Sequence, residues 1–131
     1  ELSEEETIEA QKSAVLENTG KVSSEINNAL ENMPGILNSI IGDVNVNVYF
    51  ESEEILGVTF IDGKISAMEV GEKEDPTFNV YISDAVFVYL NTNSFDLKTA
   101  LENKDITYEG LGFFGTMKSA LLTTALTLIG M

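Results

Sequence analysis

"ILGVTFIDGKISAMEV", residues 55–70, places Asp62-Gly63 between two runs of β-branched, aromatic and other apolar residues. An Asp-Gly pair suits a type I′ turn, whose two central residues need positive φ, and this predicts a β-hairpin. Just upstream, "VNVNVYFE" (44–51) alternates Val44, Val46, Val48 and Phe50 with Asn45, Asn47, Tyr49 and Glu51. Period two predicts a strand with one buried face. Beyond the charged loop "EKEDP" (72–76), "FNVYI" (78–82) alternates again, and "DITYE" (105–109) returns to a strand pattern. Five strands are therefore expected.

Helical patterns flank them. From Ser3 to Met33 the apolar residues Ile8, Val15, Val22, Ile26, Ala29 and Met33 fall on one helical stripe. Ser3 and Glu6 form a capping box at its start. Gly20, unfavourable in a helix interior by about 1 kcal/mol relative to Ala, allows two helices in place of one. Pro34-Gly35 interrupts the chain before the run Ile36, Leu37, Ile40 and Ile41. Ser83 and Asp84 can cap a short helix reaching Leu90, and Ser94 another carrying Phe95, Leu97, Ala100 and Leu101. Helices grouped around a meander-like sheet predict the α+β class, not a repeating βαβ layout.

Composition removes whole classes of function. The chain has 131 residues, enough for one domain, and 44% of them are hydrophobic, which favours a packed core over disorder. Trp, Cys, His and Arg are absent, which excludes disulfides, Cys or His nucleophile systems and the usual zinc ligands. Twenty-two acidic residues against seven lysines give a net charge of -15. Nucleic acid is excluded as a partner by that charge. No GxSxG, SxxK, glycine-rich phosphate loop or EF-hand sequence is present. The clusters Glu53-Glu54 and Glu72, Glu74, Asp75 read as solvated surface, so no catalysis, metal or cofactor is expected. Residue 1 is Glu, so the chain reads as a processed or truncated product, with cytoplasmic and extracytoplasmic placement both open.

From Leu111 to Met131 only Lys118 is charged. The run has the ~20 residues of a bilayer span, but Lys118 and a load of Ser and Thr oppose that reading. Phe114, Met117, Leu121, Ala125 and Leu128 form one stripe, and Phe113, Ala120, Leu122, Leu126 and Ile129 widen it. A helix apolar nearly all round is covered on more than one side, either as plain core or with one side against a ligand.

The stretch from Asp75 to Ile129 resembles the second half of the sterol carrier protein domain. The resemblance rests on the succession "VYISD" (80–84), "FDLKTALENKDITYEG" (95–110) and "FGTMKSALLTTAL" (114–126). In that family an alternating strand ends in Ser/Thr-Asp, a Leu-Asp loop leads to a short helix, and a last strand precedes an apolar helix with Lys near its start. With the hairpin included, the pattern covers residues 22–131 and leaves 1–21 as an N-terminal helical extension. The resemblance implies a five-stranded, mostly antiparallel sheet with helices on one face, enclosing an apolar tunnel closed by the C-terminal helix. It also implies a hydrophobic ligand, such as a lipid, fatty acyl chain or sterol-like molecule, bound and transferred without catalysis, and transient membrane contact. The expected lining is Phe60, Met68, Phe87, Leu90, Leu101, Phe113, Phe114, Met117, Leu121 and Leu126. The alternative is an interaction or homodimerisation module that uses the N-terminal amphipathic stripe, with the last helix as core.

Overall fold

The computed structural model describes residues 3–128; Ile129 and the expected continuation of the last helix to Met131 lie outside them. Helices α1 (Glu4–Glu17), α2 (Thr19–Glu31) and α3 (Gly35–Ile41) precede strands β1 (Val44–Phe50), β2 (Ile55–Ile61), β3 (Lys64–Val70) and β4 (Phe78–Ile82). Then come α4 (Asp84–Asn91), α5 (Leu97–Glu102), β5 (Ile106–Gly110) and α6 (Gly112–Leu128).

The hairpin turn has φ of 53° at Asp62 and 78° at Gly63, the two positive values that a type I′ turn demands. Ser3 and Glu6 form the expected capping box on α1. The break between α1 and α2 falls at Asn18, whose side chain donates to the Ala14 carbonyl, and not at Gly20. Asp96, not Ser94, caps α5 by accepting from the Thr99 amide. Ser83 does cap α4 by position, but the Asp84 amide donates to the Glu51 carboxylate.

The sheet order is β3-β2-β1-β4-β5. Three neighbouring pairs are antiparallel, but β1 and β4 at the centre run parallel, so the sheet is mixed and is not a meander. The physical reason lies in the 71–77 segment, which crosses the polar face of the sheet instead of turning back beside β3. Asn47 on that face is fully buried. Its side chain donates to the Lys73 carbonyl at 3.1 Å and accepts from the Lys73 amide at 2.8 Å, so both amide atoms have backbone partners. Opposite Asn47 in the ladder is Gly57, where a Cβ would stand 2.7 Å from the Gly71 carbonyl oxygen. The Thr77 amide then bonds the Asn45 carbonyl and delivers β4 alongside β1.

One face of the sheet is apolar. Val44, Val46, Phe50, Leu56, Val58, Ile65 and Phe78 form the core there with Phe87 of α4 and Ile8 of α1. Val22, the expected start of the domain proper, falls inside α2. The opposite face is polar: Tyr49 and Tyr81 stack with ring centroids 5.4 Å apart, and Tyr81 donates to Glu109 at 2.8 Å. That bond to a carboxylate raises the Tyr81 pKa above its ordinary value.

Candidate functional site

α2 is amphipathic but buries none of its residues. Its apolar residues Val22, Ile26 and Ala29, with Ala14 and Val15 of α1, form the roof of a half-open cavity of about 680 Å³. The floor is the core face of the sheet: Val48 and Phe50 of β1, Leu56 of β2, Met68 of β3, Ile82 of β4 and Ile106 of β5. Val86, Phe87 and Leu90 of α4, together with Phe95, make the side wall. The Phe50 and Phe87 rings meet edge to face, centroids 5.1 Å apart. Among the described residues, polar groups enter the lining only through Gln11, Lys21 and Glu25 on the two roofing helices and Asn18 at the break between them. The size lies within the range typical of small-molecule sites, and so does the mainly apolar lining.

Two polar contacts hold the roof in place. On α2, Asn27 donates to the Ile65 carbonyl at 2.9 Å and accepts from the Ile65 amide at 2.7 Å, so a side-chain amide satisfies the backbone of edge strand β3. On α1, Lys12 is only 1% exposed. Its ammonium lies 2.8 Å from an Asp84 carboxylate oxygen, donates to the Ser52 hydroxyl and sits 5.8 Å from the Phe87 ring centroid. Ser52 and, to a lesser degree, the Lys12 charge also draw the neighbouring Glu54 carboxyl below its ordinary pKa.

A prediction follows from this cluster. Asp84→Asn leaves a buried ammonium with only the more distant, exposed Glu9 carboxylate at 3.8 Å, whereas Lys12→Met removes the charge and keeps the packed stem. Breaking a fully buried pair costs about 3–5 kcal/mol. Asp84 is partly exposed, which reduces the cost to about 1–3 kcal/mol. Thermal denaturation should show Asp84→Asn losing roughly 3–10 °C, at least twice the loss of Lys12→Met.

The expected site residues fall in four places. Met68, Phe87 and Leu90 line the main cavity. Phe60 is half-buried against the core, paired with Val44 at the other end of β2 from Leu56. Leu101 and Leu126 line a separate shallow pocket of about 270 Å³ with Tyr108 and Thr123. Phe113, Phe114, Met117 and Leu121 are exposed on the outer side of α6. No α6 residue lines the main cavity; α6 packs along β5 and α3. The roof is therefore built by the N-terminal helices and not by the C-terminal one. Sequence reasoning identified the stripe Val15, Val22, Ile26 and Ala29 without assigning it to a ligand. Its period carried no signal for the cavity, because it is the same for a helix packed on a sheet and for one that stands off from it.

Among the described residues no helix is long and apolar enough to cross a membrane. No protein-family model matches the chain, and no curated protein does. Several solved sterol carrier protein 2-like structures are similar to it in fold over most of both lengths. Sterol carrier protein 2 like 2 from Aedes aegypti is 15% identical, with 85% of this chain and 94% of that one covered and a TM-score of 0.47. A UbiJ-SCP2 ubiquinone synthesis protein is 14% identical, with 84% and 91% covered and a TM-score of 0.49. The sec-alkylsulfatase Pisa1 from Pseudomonas sp. is 18% identical over 66% of this chain, with a TM-score of 0.41, and the match spans only 14% of that enzyme.

Proposed function

We propose that this protein binds a hydrophobic small molecule, such as a lipid, fatty acyl chain or sterol-like compound, in the cavity beneath α1 and α2, and carries it without catalysing a reaction. The observation that supports this most is a strongly amphipathic helix whose apolar stripe faces the sheet across a 680 Å³ cavity without burying one of its own residues. A long chain inserted there would remove both apolar surfaces from water, at about 0.8 kcal/mol for each methylene. Met68 in the floor adds an unbranched, flexible thioether that adapts to ligands of different shape. The lining favours binding over catalysis: its titratable side chains are Lys21 and Glu25, one helical turn apart on the roof.

The resemblance in sequence to the sterol carrier protein domain points the same way, with one change of part. Opening and closing belong to α1 and α2, hinged at Asn18, where α1 ends and α2 begins without a side-chain cap on the second helix. Transfer between membranes then requires only transient contact while this roof opens.

Native mass spectrometry of the purified protein, followed by solvent extraction, tests the proposal. A co-purifying lipid near one per chain, or saturable uptake of fluorescent acyl or sterol probes, is the expected result. A protein that carries nothing and takes up neither probe class would overturn it.

A further inference from the structure

α6 has two apolar faces with different fates. Gly115, Lys118, Ser119, Leu122 and Ala125 turn inward, and Lys118 donates to the Ile41 carbonyl at 2.9 Å, capping the end of α3. The outward face carries Phe114, Met117, Leu121, Thr124 and Leu128, all exposed and spaced by three, four, three and four residues. Phe113 and Ala120 flank that seam and are exposed as well.

We propose that this outward face is a homodimer interface, in which α6 of a second copy packs antiparallel across it, the two helices crossing at Ala120 and Leu121. The 3-4-3-4 spacing is that of a seam between two helices, with knobs from one seated between residues of the other. Ala120 at the midpoint lets the backbones approach closely.

Charge selects the partner. Lys118 is the only ionisable side chain between Leu111 and Leu128, and it is turned inward. In a chain of net charge -15, a basic partner would be drawn to the acidic surfaces elsewhere, and an anionic membrane would be repelled. A second α6, equally free of charge, meets this face without opposition.

Area is sufficient for association. Phe113 and Phe114 are 78% and 68% exposed. With full aromatic side chains at about 150–250 Å², these two rings alone present roughly 300 Å². Met117, Leu121 and Leu128 bring the face to roughly 500–600 Å², at the upper end of the largest patch on a typical monomer. Pairing two copies would bury about 1,000–1,200 Å² in total, at the lower limit of specific interfaces. A reversible, concentration-dependent dimer is expected, whether or not the cavity binds lipid.

Sedimentation velocity of the full chain, from low to high micromolar, is the test. The expected result is a monomer-dimer equilibrium that Leu121→Glu weakens by at least about tenfold, with an unchanged circular dichroism spectrum. Phe114→Ser provides a second, milder variant expected to shift the equilibrium in the same direction. A wild-type protein monomeric at every concentration would overturn the proposal, as would a dimer that both variants leave intact. So would a monomer that floats with neutral phosphatidylcholine vesicles through Phe114, because the occupant would then be a lipid surface.

Discussion

Val22→Trp should lower the affinity for a fluorescent long-chain acyl probe by roughly 50-fold while leaving the melting temperature nearly unchanged. Val22 hangs from the roof into the cavity, and α2 buries none of its residues in the core. A larger side chain there extends into ligand space and displaces no neighbour from the core. An indole occupying the length of about three methylenes takes away roughly 2.4 kcal/mol of burial. At 1.4 kcal/mol for each factor of ten, that is the stated change. Leu121→Trp, on the exposed face of α6, should change uptake less than about twofold, well under the ~1.4 kcal/mol that a tenfold change represents. Equal losses in the two variants would mean that the probe does not enter beneath α2.

Gly110→Ala should be the most destabilising single methyl group that can be added to this protein. A Cβ there would stand 1.9 Å from the Gly115 carbonyl oxygen and 2.9 Å from the Ser119 Cβ, so α6 must move to admit it. Little room exists for that movement, because Gly115 itself lies against the Thr77 carbonyl, which also accepts from the Leu111 amide. Overpacking of this kind costs about 3 kcal/mol or more, and thermal denaturation should fall by roughly 10 °C. Gly20→Ala is the matching control. It meets nothing within 4 Å and lies inside α2, so it should stabilise by about 0.5–1 kcal/mol. Because α6 takes no part in the cavity lining, Gly110→Ala measured below its melting range should still take up the acyl probe.

The elements legible in the sequence are those decided by neighbours in the chain. Asp62-Gly63 sets its own turn, and Val44 to Phe50 alternate because one face meets the apolar core and the other is polar. The parallel pairing of β1 with β4 was not legible. It depends on Asn47 meeting the backbone of Lys73, and nothing in the alternation of either strand records that contact. The roof of the cavity was not legible for a related reason. A stripe such as Val15, Val22, Ile26 and Ala29 has the same period whether it packs on a sheet or stands off from it. The density of apolar residues in α6 drew attention to a helix that lines no part of the main cavity. Its hydrophobicity divides between an inner face of small residues fitted to β5 and an outer face turned away from the fold, with Thr116, Thr123 and Thr127 between them.

The pair of bonds from Asn27 to Ile65 has a consequence for aggregation. β3 is an outer strand, and an unpaired strand edge is a template for pairing with another chain. While α2 is closed, the Asn27 amide occupies this edge the way one residue of a neighbouring strand would. If the proposed ligand enters by an opening of α2, that opening would expose the edge, and loading and self-assembly into sheets would share one intermediate. The acidic surface then works as a gatekeeper, since two opened copies, each of net charge -15, repel one another before their edges meet. High salt screens that repulsion, so aggregation should be fastest at high ionic strength in the ligand-free protein.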